Sequence, residues 1–336
     1  MGNRSLASRD FARTISSDKH QTPGSPIPRT RTRITEPVIS SQEETIFSAN
    51  QTLSGKTVFI TGAAGGIGAA TARVLHRRGA NVVLTDLQQR AADAVADELG
   101  RHRTLPLAVD VTDAESLQAA VAAAVVEFGA IDVVFANAGI AADPPTSILT
   151  IDPAQFEKVV EVDLLGVWRT VRAALPQVIA NRGYVLITSS IYAYANGTIN
   201  APYAMSKAGV EQLGRALRVE LAGAGASAGV LYPGWVNTNI ARTAFGGNDT
   251  VTRFRARAYP PFLREAIEPE QVAEAVAAGI AKRSPRIVVP RRWIPFILLN
   301  GVLNPLSDAA LVRDRTAQRF VREIEQSAAN TEHAKA

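Results

Sequence analysis

A regular alternation of short apolar runs and longer amphipathic segments, beginning near residue 54, constrains the fold more than any other feature of this sequence. The apolar runs are TVFIT (57–61), NVVLT (81–85), LPLAV (105–109), IDVVFA (131–136), YVLITS (184–189), AGVLY (228–232) and RIVVP (286–290). The segments between them with helical periodicity are 67–79, 88–99, 113–128, 153–181, 202–223 and 269–282. Strands that are apolar throughout, alternating with helices, indicate a parallel sheet covered by helices on both faces. The sequence therefore predicts a single α/β domain at residues 54–290, built on a doubly wound parallel sheet of about seven strands.

The two ends of the chain do not follow this pattern. Residues 1–50 are rich in Ser, Thr, Arg, Pro and Gln, and we predict a disordered N-terminal extension because this composition is typical of disorder. Residues 291–336 are predicted to be a C-terminal extension, with a packing or interface segment followed by a polar tail. The apolar stretch at 293–303 is too short to span a bilayer. It is expected to pack on the domain or on a partner subunit, or else to contact a membrane peripherally together with the arginines of 286–292.

The scarcity of thiol and imidazole side chains excludes several kinds of site. The chain contains no cysteine and four histidines, and no two histidines have the spacing of metal ligands, so neither a disulfide nor a metal site is predicted. The net charge is +5, but the excess positive charge lies outside residues 51–280 and forms no stripe with aromatic residues. Binding to nucleic acid is therefore not expected. No secretory signal is recognisable, and we expect a cytoplasmic protein.

A glycine-rich turn joins the first predicted strand to the first predicted helix. In TGAAGGIG (61–68), glycines let backbone N–H groups approach a pyrophosphate, which the helix N-terminus then stabilises. An aspartate ends the second strand, where its carboxylate can accept hydrogen bonds from ribose hydroxyls and would repel a 2′-phosphate. The residues predicted to hold the dinucleotide here are Gly62, Gly66, Ile67, Gly68 and Asp86. The pattern predicts NAD as the cofactor in preference to NADP.

The next two strand ends extend the same site. Asp110 and Val111 end the third strand, and Asn137, Ala138 and Gly139 end the fourth. Ligands of open α/β sheets bind outside the carboxyl ends of the strands. All five residues are therefore expected to border one crevice, with the adenine beside Asp110 and Val111.

Three polar residues follow the fifth predicted strand. Ser190 lies at the strand end, and Tyr203 and Lys207 lie four residues apart, on one face of the next helix. A phenol with a pKa of about 10 is a poor base at neutral pH, but a neighbouring ammonium stabilises the phenolate and lowers that pKa. A hydroxyl nearby can donate a hydrogen bond to an oxygen on which negative charge develops. The cluster therefore predicts a proton-transfer site, with the alternative that its hydroxyl groups merely tie the strand to the helix.

These motifs together resemble those of the short-chain dehydrogenase/reductase family. TGAAGGIG, ANAG, Ser190, Tyr203-x-x-x-Lys207 and PGWVNT (233–238) have the order and spacing of that family, and the resemblance covers about residues 54–290. It implies a Rossmann-like sheet, an NAD(P) cofactor, and a homodimer or homotetramer assembled through the two long helices at 153–181 and 202–223.

The resemblance also implies roles for individual residues. Tyr203 would be the general acid/base, Lys207 would lower its pKa and hold the nicotinamide ribose, and Ser190 would orient the substrate oxygen. The residues implied beside the nicotinamide are Pro233, Gly234, Val236 and Thr238. The chain is thus expected to be an oxidoreductase that transfers a hydride between NAD(H) and a secondary alcohol or ketone.

Two positions depart from the family pattern. The segment EVDLLG places Asp163 where the family usually has a catalytic asparagine, and Ala136 stands where it often has another asparagine. A charged Asp163 would raise the pKa of Lys207 and could order the same water relay. If the carboxyl group is buried, its own pKa could rise instead. We therefore include Asp163 among the candidate catalytic residues, with its role left open.

The substrate and one alternative function are less well defined by the sequence. Tyr192, Tyr194 and Trp235 are each expected either to line an apolar pocket or to pack in the core. An apolar pocket would favour a steroid-, terpenoid- or lipid-like substrate. The arginines between 242 and 264 either form a solvated surface or attract an anionic substrate. The alternative function is a catalytically weak regulatory or sensor protein that binds NAD(H).

Overall fold

Seven parallel strands form one sheet in the computed structural model, which describes residues 53–245 and 248–333. The predicted disordered extension at 1–50 lies outside the described residues. The strands are β1 (Thr57–Thr61), β2 (Asn81–Asp86), β3 (Thr104–Ala108), β4 (Val133–Ala136), β5 (Tyr184–Thr188), β6 (Ser227–Pro233) and β7 (Arg286–Val289). Their order in the sheet is β3-β2-β1-β4-β5-β6-β7. The prediction of a doubly wound, Rossmann-like α/β fold with about seven strands is confirmed.

The order of the strands places a crevice between β1 and β4. From β1 the chain builds outward through β2 and β3, and it then returns to add β4 on the other side of β1. Val58 of β1 consequently pairs in parallel register with Val82 on one side and Val133 on the other. Loops that leave two such strands diverge, and ligands of open α/β sheets bind at this switch point.

Helices cover both faces of the sheet. The helices that alternate with the strands are α1 (Gly66–Arg77), α2 (Gln89–Leu99), α3 (Ala114–Phe128), α4 (Pro153–Val160), α5 (Val167–Ala180) and α6 (Ala201–Glu220). Those that follow β6 are α7 (Asn239–Phe245), α8 (Asp249–Ala258), α9 (Pro261–Arg264), α10 (Pro269–Ala281), α11 (Ile294–Leu298), α12 (Asn300–Arg313) and α13 (Arg315–His333).

The core lies in two layers, one on each side of the sheet. Val58 and Ile60 of β1 pack with residues of α1, α2 and α10, whereas Phe59 between them packs with residues of α3, α5 and α6. Successive side chains of a strand point to opposite faces. This arrangement explains why the strands are apolar throughout their length: each strand is buried on both of its faces.

The long helix predicted at 153–181 is interrupted. A π-helical turn, Glu161–Gly166, separates α4 from α5. Gly166 allows the turn to pack closely, because a Cβ atom there would lie 2.8 Å from Val111 Cγ2. Such turns are rare inside helices and often occur at functional sites. This one contains Asp163, whose side chain is fully buried.

The segment after β7 packs on the domain and joins a third apolar cluster. Trp293, Phe320 and Ile324 are buried there together with Trp235 and Phe254. The last helix, α13, is mostly polar but has one apolar face. Phe320 and Ile324 are four residues apart, so they lie on the same side of the helix, and both are buried. This cluster connects the C-terminal helices to the helices that follow β6.

Part of the apolar stretch at 293–303 remains exposed. Trp293 and Ile297 are buried, whereas Leu298, Leu299 and Val302 are more than half exposed. In the part of the chain that the structure describes, no single helix is long and apolar enough to cross a bilayer. Arg291–Leu298 and Asn300–Arg313 reach the required length and hydropathy only as a pair, bent by 88°.

Candidate active site

A cavity of about 240 Å³ lies beyond the carboxyl ends of β1, β4, β5 and β6. Most residues predicted for the site line it. They are Gly62, Gly66, Ile67, Asp86, Asn137, Ala138, Gly139, Asp163, Ser190, Tyr203, Lys207, Pro233, Gly234, Val236 and Thr238. Six further residues that were not predicted from the sequence also line it: Gly65, Thr188, Ile191, Asn239, Ile240 and Ala241. The last three directly follow the motif at 233–238 in α7, a helix that the sequence pattern did not predict.

Glycines form the wall of the cavity beside α1. Gly62 has φ of +63°, and a Cβ atom there would lie 2.9 Å from Ala138 Cα. A Cβ atom at Gly68 would lie 2.0 Å from the carbonyl oxygen of Gly62, so this position requires close packing of α1 on the turn. Helix α1 begins after Gly65, and among the described residues no side chain caps its N-terminus. Its N-terminal N–H groups, uncapped by any side chain, fit the requirements of a pyrophosphate.

Asp86 is fixed at the end of β2. Its Oδ2 atom accepts a hydrogen bond of 3.1 Å from the backbone N–H of Ala64 in the glycine-rich turn. The carboxylate therefore borders the cavity while being tied to the segment that would hold the pyrophosphate. This position fits a ribose with free hydroxyl groups and opposes a second negative charge there.

The side chain of Asn137 connects three strand ends. Its Nδ2 atom donates to the carbonyl oxygens of Thr61 (3.2 Å) and Gly62 (3.3 Å), and its Oδ1 atom accepts from Thr188 Oγ1 (3.1 Å). Both the nitrogen and the oxygen of the amide are thus engaged in hydrogen bonds within the protein. Asn137 keeps the crevice open by fixing the ends of β1, β4 and β5.

Three predicted cofactor residues do not line the cavity. Gly68 lies within α1. Asp110 Oδ1 accepts hydrogen bonds from the backbone N–H (2.8 Å) and the hydroxyl (2.7 Å) of Thr112 in the turn before α3. Val111 packs against the π-helical turn at Gly166. The cofactor contacts expected of Gly68, Asp110 and Val111 stay predictions.

Ser190, Tyr203 and Lys207 come together because β5 and α6 are tied to each other. The neighbouring Ser189 Oγ donates a hydrogen bond of 2.7 Å to the carbonyl oxygen of Lys207, which fixes the strand end against the helix. Ser190 Oγ accepts from the backbone N–H of Tyr192 at 3.2 Å. Lys207 Nζ lies 5.3 Å from the centre of the Tyr203 ring.

The electrostatic surroundings of Tyr203 act in both directions. Burial raises the pKa of the phenol, the positive charge of Lys207 lowers it, Asp163 raises it, and a hydrogen bond to Ser190 lowers it. The net direction is upward. The phenol is therefore protonated at neutral pH, in the form that can donate a proton to a ketone oxygen.

Asp163 and Lys207 form a buried ion pair. Asp163 Oδ2 lies 3.0 Å from Lys207 Nζ, and its Oδ1 atom accepts from the backbone N–H of Ile140 at 2.7 Å. The pair needs Gly139, because a Cβ atom there would lie 3.0 Å from Asp163 Oδ2. Burial lowers the pKa of Lys207, but Asp163 and Tyr203 together raise it by more, so the net direction is upward. Burial raises the pKa of Asp163, against the effects of Lys207 and Ile140.

An aromatic wall faces the polar cluster. Tyr192 contacts Tyr203 and Trp235 edge to face, with ring centres 5.9 Å apart in each case. Tyr192 and Trp235 line the cavity, as expected. Tyr194 does not line the cavity and takes the alternative of packing in the core: its hydroxyl donates to Glu211 at 2.8 Å and its ring packs on Tyr232.

The arginines after β6 divide into two groups. Arg253 pairs with Glu323 at 3.6 Å and Arg257 pairs with Asp314, so both connect α8 to acidic side chains at α13. Arg255, which lies between them on α8, has its guanidinium 4.9 Å from the centre of the Trp235 ring instead. The cluster is therefore not simply a solvated surface.

Comparisons with known proteins agree with this geometry. A family model described as short chain dehydrogenase matches residues 56–248. Cis-4-hydroxycyclohexanecarboxylate dehydrogenase of Sinomonas cyclohexanicum is 39% identical over 225 residues, which cover 66% of this chain and 88% of that protein. (+)-Borneol dehydrogenase 1 of Salvia officinalis is 33% identical over 195 residues, 58% of this chain and 75% of that protein. The structure of 3-ketoacyl-(acyl-carrier-protein) reductase from Brucella melitensis, complexed with NADH, matches with a TM-score of 0.62 and 28% identity, covering 70% of this chain and 97% of that one.

Proposed function

We propose that this chain, which belongs to the short-chain dehydrogenase family, transfers a hydride between NAD(H) and an apolar secondary alcohol or its ketone. Members of the chain's family that it matches are named as dehydrogenases, and the chain is an NAD(P)-dependent oxidoreductase acting on CH–OH groups. Tyr203 is the general acid/base in this proposal. The observation that carries it is that Ser190, Tyr203 and the uncapped N-terminus of α1 border one cavity.

The chemistry follows from what each side chain can do. The cofactor, when bound, supplies or accepts the hydride. The Tyr203 phenol donates its proton to the ketone oxygen during reduction and accepts the proton of the alcohol during oxidation. The Ser190 hydroxyl donates a hydrogen bond to the same substrate oxygen as negative charge develops on it. Lys207 stabilises the phenolate, and Asp163 limits this effect by compensating the ammonium charge.

The proposed cofactor preference is for NAD. Asp86 borders the cavity and is fixed to the backbone N–H of Ala64. A carboxylate in this position accepts hydrogen bonds from ribose hydroxyls and repels a 2′-phosphate. The segment between Gly62 and Gly68 contains no lysine or arginine that would attract such a phosphate.

An apolar substrate is supported by the walls of the cavity and by the relatives. Four apolar or aromatic side chains line the cavity, those of Ile191, Tyr192, Trp235 and Ile240. The names of two relatives describe dehydrogenation of alicyclic alcohols, hydroxycyclohexanecarboxylate and borneol. We therefore propose a secondary alcohol on an apolar ring or a lipid-like chain, a class that includes terpenoids and steroids.

One observation favours the alternative function, a sensor that binds NAD(H) without efficient turnover. The ion pair with Asp163 compensates the charge by which Lys207 would activate Tyr203. A sensor would bind NADH but would not convert alcohols or ketones. Turnover therefore separates the two functions.

The test is the change in NADH absorbance with a panel of alicyclic, terpenoid and steroid alcohols and ketones. Wild-type protein is compared with Tyr203→Phe and with the matched control Tyr194→Phe, which changes a phenol outside the cavity. We expect turnover by the wild type and by Tyr194→Phe, and a collapse in Tyr203→Phe. NADH binding without turnover of any ketone or alcohol would support the sensor function.

We also propose assembly into a homodimer or homotetramer through α5 and α6. Large apolar side chains on these helices are exposed, among them Trp168 (44%), Met205 (56%) and Val219 (78%). Light scattering of Trp168→Glu should then show a smaller particle than the wild type. A cytoplasmic location and a peripheral membrane contact through 286–303 stay predictions, and flotation with anionic liposomes tests the contact.

A further inference from the structure

Trp293, in the segment that follows β7, is the largest fully buried side chain among the described residues. It lies beyond residues 56–248, which match the family model. Its ring packs edge to face on Phe296 and Tyr259, with ring centres 5.5 Å and 6.1 Å away. Its Nε1 atom has no hydrogen-bond partner within the described ranges. An unpaired buried N–H group is unfavourable, so packing and not a hydrogen bond holds the indole in place.

The indole of Trp293 is in close contact with the backbone of Gly234. A Cβ atom at Gly234 would lie 2.6 Å from Trp293 Nε1 and 3.0 Å from Trp293 Cδ1, closer than a side chain there could approach. Gly234 lines the catalytic cavity, whereas Trp293 is not among the residues that line it. Trp293 can therefore influence the cavity only through the residues that it contacts.

Two further contacts connect the segment after β7 to the same wall of the cavity. The backbone N–H of Gly234 donates a hydrogen bond of 2.7 Å to the carbonyl oxygen of Val289, the last residue of β7. The ring of Tyr259 lies between Trp293 and Trp235, and its centre is 5.8 Å from that of Trp235. Because a close-packed interior transmits small displacements, the positions of Gly234 and Trp235 depend on the indole of Trp293.

We propose that Trp293 is a positioning residue for hydride transfer, which holds the backbone of Gly234 and, through Tyr259, the ring of Trp235 at the catalytic cavity. This inference rests on the proposed dehydrogenase function, in which the segment at Gly234 lies beside the nicotinamide. Catalysis depends on the alignment of the reacting groups, and a misplacement of about 1 Å can lower the rate by about 10²-fold. Loss of the indole should therefore lower kcat more than it raises KM.

The first test compares Trp293→Leu with the wild type, using NADH and the ketone that the wild type reduces best. The leucine is apolar but lacks the atoms of the indole beyond the first part of the ring, including Nε1. We expect kcat to fall by roughly tenfold to a hundredfold, with little change in KM. The matched control is Phe296→Leu, which changes a ring that packs on Trp293 but does not line the cavity. This control should lose stability in urea and keep its kcat.

The second test is a double-mutant cycle that is read from NADH binding and does not need turnover. In Gly234→Ala the added methyl group must displace either the indole or the backbone, and we expect the dissociation constant of NADH to rise by roughly tenfold. In the double variant with Trp293→Leu the methyl group meets a smaller side chain, so binding should recover in part. If Trp293→Leu does not fold, Trp293→Phe replaces it in both tests, because the smaller ring also lacks Nε1.

Either test can overturn the role of Trp293. A folded Trp293→Leu with the kcat of the wild type would do so, and so would a double variant whose NADH binding is no better than that of Gly234→Ala alone. If the proposed function fails, the wild type binds NADH but reduces no ketone, and the cycle in NADH binding then decides. A wild type that does not bind NADH would refute both the proposed function and the role of Trp293.

Discussion

Lys207 Nζ lies 3.0 Å from Asp163 Oδ2, and both residues are buried and line the catalytic cavity. The ammonium group that would activate Tyr203 is thus compensated by a carboxylate from the π-helical turn. This relationship makes the lysine a weaker activator of the phenol while fixing its position. It leads to the first two predictions.

Asp163→Asn should move alcohol oxidation to lower pH. The amide keeps the shape of the side chain but removes the negative charge, so Lys207 lowers the pKa of Tyr203 more effectively. We expect the rising limb of the pH profile of kcat/KM to shift downward by about one unit. The control is Asp152→Asn, which changes the exposed N-cap residue of α4. An unchanged profile in Asp163→Asn would assign the carboxylate a mainly structural role.

Lys207→Met should leave a buried carboxylate without its cation. We expect the free energy of unfolding to fall by about 3–5 kcal/mol at neutral pH. Because burial raises the pKa of Asp163 in the folded state above its unfolded value, the folded protein binds more protons. The stability of the variant should therefore fall as pH rises above the ordinary pKa of an aspartate.

Urea unfolding at several pH values measures this effect. The double variant Lys207→Met with Asp163→Asn is the control, because it has no buried charge and should regain much of the loss. A loss in the single variant that is independent of pH, or a double variant with the sum of both single losses, would argue against a buried ion pair.

Gly68→Ala should destabilise the glycine-rich turn. The added methyl group would lie 2.0 Å from the carbonyl oxygen of Gly62, which is backbone and cannot move away cheaply. We expect a loss of at least about 3 kcal/mol in the free energy of unfolding. In Gly65→Ala the methyl group meets no atom within 4 Å, so that variant should unfold like the wild type. Equal unfolding curves for both variants would contradict the packing of α1.

Asp86→Ser should weaken the preference for NAD. Removing the carboxylate removes the repulsion of a 2′-phosphate, and we expect NADPH to bind about tenfold more tightly than it binds the wild type. Titration calorimetry with NADH and NADPH measures both constants. Asp93→Ser, which changes an aspartate of α2 that is paired with Arg101, should leave both dissociation constants unchanged. A wild type that binds NADPH more tightly than NADH would overturn the preference.

The parts of the fold that depend on neighbouring residues could be predicted from local sequence patterns. The strands could be predicted because runs such as TVFIT are apolar on both faces, and the buried β1 has that pattern at every position. The glycine-rich turn could be placed because it directly joins β1 to α1. The position of Asp163 could be recognised from the segment EVDLLG. Its ion pair with Lys207 could not, because the two residues are 44 positions apart and come together only in the folded chain.

Contacts between distant residues could not be predicted. Tyr192 and Tyr194 have the same character, but the 3₁₀ turn Ile191–Ala193 directs only Tyr192 to the cavity. Arg257 pairs with Asp314, a residue 57 positions further along the chain, so the basic segment showed no sign of this partner. Asp110 stands at the expected strand end, but its carboxylate closes a local turn with Thr112.

The most direct test of the central claim is a single-turnover measurement of NADH oxidation by Tyr203→Phe, with the ketone that the wild type reduces best. The variant lacks only the phenolic hydroxyl group, so we expect the rate to fall by about 10²–10⁴-fold while the dissociation constant of NADH stays the same. A variant that reduces the ketone at the wild-type rate would contradict the assignment of Tyr203 as the general acid.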